Sequence, residues 1–295
     1  VLFGFLIANF ASWPAWAAAG TTLSSKRLMR IGVALLGMQL SFATLQEIGL
    51  RVVLGVLTVV AITIFGIIGL SRLFRMSTEL GLLMGIGYGI CGATAVAAVR
   101  PQTKATQEET SYAIGMISLC GTLSIAVLPF LAGVLGLADS TFGAWAGSAV
   151  HDVGQVVATA SIRGDVALES AIVVKLARVT MLAPIVIALS IRHRRQLAAE
   201  GNDTTVSANV PWIPGFVIGF FVVVVINNLG IVPENVADGL VWLNKILLAF
   251  GLAALGSAVR WRQLSAIGPR PLVMGLTAWL LVGSAALGMV LLLGL

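Results

Sequence analysis

The chain has 295 residues, of which 58% are hydrophobic and 10% charged, and its mean hydropathy is +1.02. A soluble domain covers itself with about 25% Asp, Glu, Lys and Arg, so this composition excludes soluble enzymes and soluble binding domains. The net charge of +6 does not point to nucleic acid, because the basic residues are divided among short loops between apolar segments.

A membrane-crossing helix needs roughly 20 mostly apolar residues. Ten segments meet this in chain order: 1–18, 28–45, 50–71, 79–99, 109–137, 142–162, 166–191, 212–231, 236–259 and 271–294. The expected fold is therefore all-α, a polytopic membrane helical bundle of about ten spans forming one transmembrane domain over 1–295. The polar loop 192–211 is the candidate hinge between two halves. Val1 lies inside an apolar run, which suggests that a further N-terminal span precedes it. Thirty-three glycines suit helices packed closely in lipid.

Threading the ten spans alternately places Lys26, Arg27, Arg30, Arg72, Arg75, Arg192, Arg194, Arg195, Arg260, Arg262 and Arg270 on one side. Arg51, Arg100, Lys104 and Arg163 fall on the other. Eleven against four makes the first side cytoplasmic. A shift of 219 residues aligns Gly32 with Gly251, Gly37 with Gly256, Ile48-Gly49 with Ile267-Gly268 and Arg51 with Arg270. The aligned spans are seven crossings apart and would run in opposite directions, an inverted repeat of the kind found in secondary transporters. Chance similarity among Leu- and Gly-rich helices is the competing reading.

Two segments carry the candidate chemistry. The run Gly85-Ile86-Gly87-Tyr88-Gly89-Ile90-Cys91-Gly92-Ala93-Thr94-Ala95 concentrates glycine, which costs about 1 kcal/mol against Ala inside a helix, so a broken helix is expected there. Such a break is tolerated at membrane depth where its free backbone groups meet protein, water or a ligand. Gly89, Cys91, Gly92, Ala93 and Thr94 are its candidate substrate-binding residues, with N–H groups of a restarting helix available to an anion. The second segment, Gly143 to Gln155, holds Ser148, His151, Asp152 and Gln155 within a span, where polar side chains are costly. Ser148 and Gln155 are candidate substrate contacts, and His151 and Asp152 candidate coupling groups, since imidazole changes charge near neutral pH. An Asp152 ion pair serving only assembly is the structural alternative.

The following span carries Lys175 and Arg178, three residues apart and so on one helix face. Arg suits a forked grip on an oxyanion and Lys acts as a point charge; the alternative makes them partners of Asp152 or Glu169. Glu108 and Glu109 read as acids at a helix N-terminus, with proton coupling the lesser option. Cys91 and Cys120 lack metal-ligand spacing, and two His with scattered carboxylates make a poor metal set. No metal or cofactor is expected, and no phosphate-binding loop of the Gly-Lys-Ser/Thr type follows Gly85-Ile86-Gly87.

Gly32-Val33-Ala34-Leu35-Leu36-Gly37, Ile90-Cys91-Gly92-Ala93-Thr94-Ala95, the stretch His151-Asp152-Val153-Gly154-Gln155-Val156-Val157 and Lys175-Leu176-Ala177-Arg178-Val179 together resemble the sulfate exporter family, the YeiH-type conserved bacterial inner-membrane proteins. Members usually have Ser where this chain has Thr94, and often Glu where it has Asp152. The resemblance implies a multi-pass transporter of the bacterial inner membrane. The expected function is secondary-active export of a small inorganic anion, sulfate or a related oxyanion, coupled to a proton or sodium ion. The alternative is a sodium-coupled organic-anion carrier of similar inverted-repeat fold. An enzyme built on Ser148 and His151 is the third reading and lacks any other catalytic signature. The partners expected are the anion, the coupling ion and the lipid bilayer, with homo-oligomerisation left open and no nucleic acid.

Overall fold

The computed structural model describes residues 6, 7, 9, 10, 20, 27–39, 50–199, 215–257 and 269–295. The expectations that rest on 1–5, 8, 11–19, 21–26, 40–49, 200–214 and 258–268, among them those on Lys26, Ile48-Gly49, Arg260 and Arg262, lie outside the described residues. All regular elements described are helical. They are α1 (Met29–Leu35), continued by a 3-10 turn to Gln39, α2 (Leu50–Leu73), α3 (Thr78–Gly89), α4 (Ala93–Val99) and α5 (Gln107–Val134). Then come α6 (Asp139–Ala149), α7 (Val153–Ala160), α8 (Asp165–Thr180), α9 (Leu182–Ala199), α10 (Gly215–Asn228), α11 (Glu234–Ser257) and α12 (Pro269–Leu293).

Four stretches among the described residues are long and apolar enough to cross a membrane: Arg51–Leu73, Gln107–Val134, Asp165–Gln196 and Pro269–Leu293. The third joins α8 and α9 through a bend at Met181, three residues before Pro184, whose missing N–H disfavours an uninterrupted helix. Because α9 continues to Ala199, the first part of the expected hinge loop 192–211 is helical instead.

The glycine-rich segments expected to span at 79–99 and 142–162 do break, and they also turn back. Helix α3 has 12 residues, about 18 Å of rise, roughly half the hydrocarbon thickness. After the break, α4 and a 3-10 turn (Arg100–Gln102) bring the chain back to where α3 began: the Lys104 N–H donates to Glu79 Oε2 at 3.3 Å. Ser77, the N-cap of α3, donates its hydroxyl to Glu109 in the first turn of α5. Glu109 completes a capping box with Thr106, which matches the expectation that this acid serves a helix N-terminus. Residues 77–109 thus form a re-entrant hairpin whose two ends and whose exit helix start at one end of the bundle, the Leu73 end.

Helix α5, about 42 Å long, carries the chain to the opposite end, where a second hairpin begins. Its ends are closed by an ion pair, Arg163 Nε to Asp139 Oδ1 at 2.9 Å, with the Arg163 guanidinium 5.5 Å above the Phe142 ring. Helix directions confirm that the hairpins enter from opposite ends. Along α3, Gly81 abuts Ser71 and Ile68 while Gly85 abuts Ile64, so α2 and α3 are antiparallel. Along α6, Gly143 faces Ala167 and Gly147 faces Ala171, so α6 and α8 run parallel. The expectation that 79–99 and 142–162 cross the membrane is corrected accordingly, and both corrections have one physical cause: each arm is too short to cross.

Helix α12 backs both hairpins. Tyr88 Oη donates to Gly275 O at 3.1 Å, and Trp145 Nε1 donates to Gly283 O at 2.8 Å. It lies antiparallel to α2, with Gly55 against Leu293 and Gly66 against Leu281. Apart from Lys175 and Arg178, the Lys and Arg side chains within 50–199 and 269–295 then sort by end. Arg72, Arg75, Arg100, Lys104, Arg192, Arg194, Arg195 and Arg270 lie at the Leu73 end, and Arg51 and Arg163 at the other, eight against two.

The hairpin topology is checked by thiol labelling. With Cys91 and Cys120 replaced by Ala, single cysteines at Arg72 and Lys104 react with an impermeant maleimide from the same side of sealed vesicles, and one at Asp165 reacts from the other. Labelling of positions 72 and 104 from opposite sides would restore a crossing span.

Candidate functional site

The two hairpin tips meet at the middle of the bundle. Helix α3 stops at Gly89, and α4 resumes after Ile90, Cys91 and Gly92. Helix α6 stops at Ala149, and α7 resumes after Val150, His151 and Asp152. Both breaks are three residues long. Gly92 has φ +73°, a left-handed conformation that a side chain would strain. Its α-carbon faces the other tip: a Cβ built there would lie 3.5 Å from the His151 carbonyl carbon and the Asp152 nitrogen.

Each break leaves helix-end carbonyls without their usual partners, and α8 supplies replacements. Arg178 Nε donates to Gly89 O at 2.8 Å, and Nη2 donates to Tyr88 O. Its Nη1 is directed at the carbonyls of Gly147, Ser148 and Val150. Lys175 Nζ donates to Ile90 O and to Val150 O, both at 2.8 Å. The two cations thus bind the C-terminal ends of α3 and α6, where the helix dipoles are negative. They are 0% and 1% exposed, respectively. At 1.5 Å per residue, Lys175 lies about 15 Å along α8 from Asp165, near mid-membrane depth.

The close approach of α6 to α8 depends on absent side chains. A Cβ on Gly143 or Gly147 would collide with the carbonyl of Ala167 or Ala171. With that methyl in place, α8 would stand too far from α6 for Arg178 to reach Gly147 O and Ser148 O.

The candidate residues do not all converge. Gly89, Cys91, Gly92, Ala93 and Thr94 form the first tip and the start of α4, and Cys91, Ala93 and Thr94 are buried. Ser148 sits at the end of α6, its carbonyl on Arg178. Asp152 is half-buried and makes no ion pair with either cation; its Oδ1 accepts from the Gly154 N–H at 2.8 Å as the N-cap of α7. The alternative that pairs Lys175 and Arg178 with Asp152 or Glu169 is not seen, and their hydrogen bonds go to backbone carbonyls. Gln155 turns to α5, its Nε2 donating to Ser118 O at 3.2 Å and to Thr122 Oγ1 at 3.3 Å, away from the cations.

His151 is fully buried, and both ring nitrogens lack a hydrogen-bond partner. Its ring centroid lies 4.2 Å from that of Tyr88, with the planes tilted by 57°. Because α6 ends before it, His151 does not share a helix face with Ser148, and no Ser148–His151 hydrogen bond exists to activate a nucleophile. Among the described residues, no group of three His, Cys, Asp or Glu side chains is placed to hold a metal ion.

Sequence reasoning missed Tyr88, which packs on His151, donates to Cys120 Sγ at 3.2 Å and to Gly275 O, and lends its own carbonyl to Arg178. The available signal was an aromatic ring, one of two tyrosines in the chain, set among four glycines. The carbonyls of Ile90 and Val150 carry no side-chain signal at all.

These features define a polytopic helical membrane protein in which two opposed re-entrant hairpins share a pair of buried cations. Residues 1–275 match the family model described as conserved hypothetical protein 698, and the chain belongs to that family, whose relatives bear the name UPF0324 membrane proteins. It is 37% identical over 287 residues to a UPF0324 membrane protein of Corynebacterium glutamicum, covering 97% of this chain and 82% of that one. The UPF0324 membrane protein of Bacillus cereus is 34% identical, with 94% and 80% covered. The UPF0324 inner membrane protein YeiH of Salmonella typhi is 32% identical over 298 residues, with 99% and 84% covered. No solved structure matches the chain. With its apolar helices, the chain is a multi-pass protein of the inner membrane.

Gly147→Ala is expected to push α6 off α8 and cost about 1–3 kcal/mol, seen as a lower melting midpoint in detergent. Gly133→Ala, where nothing lies within 4 Å of the new methyl, is the control and leaves the midpoint unchanged.

Proposed function

We propose that this chain is a secondary-active transporter that exports a small inorganic anion, sulfate or a related oxyanion, through the meeting point of the two hairpin tips. One observation carries the reading. Two full positive charges, Lys175 and Arg178, are buried at mid-bundle against carbonyl dipoles, and no carboxylate among the described residues touches them. Helix-end dipoles amount to roughly half a charge each, so the tips retain a positive excess that a passing anion would neutralise. A full negative charge is the usual partner of a buried cation, and the carbonyl dipoles offset these two only in part.

In this reading Gly89, Cys91, Gly92, Ala93, Thr94 and Ser148 line the anion's passage between the tips, with Gln155 supporting the second hairpin from behind. His151 and Asp152 serve the coupling proton: the imidazole has two unpartnered nitrogens beside the cations, and the carboxylate stands at the same break. The work is transport and not catalysis. It asks for no nucleotide, metal, cofactor or nucleic acid, and its partners are the anion, the proton and the bilayer; a homo-oligomer is compatible with it.

The orientation that fits places the Leu73 end in the cytoplasm, since eight of ten sorted basic side chains lie there. Of the ten apolar segments, the two hairpins are removed as crossings, leaving eight. The inverted repeat pairs α2 with α12, whose bounds differ by 219 at the start (269 − 50) and which lie antiparallel, as copies of opposite direction would. The two hairpins add a second inverted element, entering from opposite ends with breaks 60 residues apart (150 − 90).

The test is purified protein in liposomes loaded with labelled sulfate under an imposed pH gradient. Saturable efflux, competed by other tetrahedral oxyanions, is expected. Asp152→Asn is expected to reduce gradient-driven efflux about tenfold or more while preserving sulfate–sulfate exchange, since the amide can still cap α7 but cannot exchange a proton. Absence of efflux, or efflux insensitive to every oxyanion, rejects the reading.

A further inference from the structure

The Lys175 ammonium occupies an unusual position. Its Nζ lies between one carbonyl from each hairpin tip, Ile90 O and Val150 O, at 2.8 Å from both. These oxygens belong to the breaks themselves, immediately beyond the last residues of α3 and α6. Neighbouring carbonyls of Tyr88, Gly89, Gly147 and Ser148 are taken by Arg178, so six carbonyl oxygens converge on two charges. Among the described residues no carboxylate contacts the ammonium, and Lys175 is 1% exposed.

Backbone carbonyls at unwound helix ends are the ligands from which membrane proteins build sites for dehydrated monovalent cations. The two carbonyls that meet the ammonium, both at negative helix ends, favour a positive charge at that point. The ammonium head matches such an ion in charge and in its distance to oxygen. What differs is the tether, which anchors the charge to α8.

We propose that the space between the hairpin tips is a carbonyl-lined monovalent-cation site, filled in this chain by the tethered ammonium of Lys175. The consequence is that the wild-type chain needs no sodium or potassium to hold its tips together, and that no alkali ion can be released from there during transport. Shortening the side chain empties the site for a free ion. This inference rests on the tip geometry and not on the anion reading.

The test measures melting midpoints of the full chain in detergent, in choline chloride, sodium chloride and potassium chloride at equal ionic strength. Wild type is expected to melt at one temperature in all three. Lys175→Ala and Lys175→Ser, purified in alkali salt, are expected to melt about 5–10 °C higher in sodium or potassium than in choline when the ion is in hundredfold excess over its dissociation constant. The gain should saturate with ion concentration. Equal midpoints in all salts for both variants overturn the proposal, and so does a wild type stabilised by either alkali ion. Failure of both variants to accumulate even in alkali salt also overturns it, because a free ion would then not replace the ammonium. A lack of sulfate flux leaves this outcome unaffected, so the two readings fail separately.

Discussion

Two helices that stop halfway through a membrane leave their last carbonyls without the partners a bilayer core cannot supply. In this chain those carbonyls are met by Arg178 and Lys175, reaching from α8 to both tips at once. The arrangement solves two problems together. Cations that would be prohibitively costly at mid-depth acquire negative dipole ends, and helix ends that would be orphaned acquire charged donors, the strong kind of hydrogen bond. Neither half is tolerable without the other. The glycines of α6 and the short arms of the hairpins are what bring the two within reach.

Much of this was legible in the sequence, and the reason is chemical. A buried Lys and Arg three residues apart, and four glycines around Tyr88, are anomalies against an apolar background, and anomalies locate themselves. The breaks at Ile90–Gly92 and Val150–Asp152 fall within the glycine-laden runs. The partners were not legible, since a backbone carbonyl has no letter of its own. Carboxylates such as Asp152 and Glu169 were the visible candidates, and the structure uses neither.

The hairpins escaped for a different reason. Apolar length reads the same whether a chain crosses or returns, and the two segments deceive in complementary ways. Making 79–99 return shifts one set of loops to the other side, and making 142–162 return shifts everything beyond back again. Arg163 and the cluster Arg192–Arg195 therefore keep their assigned ends, while Arg100 and Lys104 move to join the majority. The charge bias thus looked sound despite two wrong crossings, and two of its four exceptions, Arg100 and Lys104, were the clue. Glu109, read as a helix-start acid, and Glu79, which sequence reasoning did not single out, are the residues that hold the returning chain.

The two hairpins are fastened at their bases by different chemistry. At the Leu73 end the closure is made by hydroxyls and backbone N–H groups on Glu79 and Glu109. At the opposite end it is a single ion pair between Arg163 and Asp139, with side chains 28% and 46% exposed. Such a surface pair contributes roughly 0–1 kcal/mol and weakens as dissolved ions screen it. One jaw of the molecule is therefore sensitive to the saltiness of the medium bathing it, and the other is not.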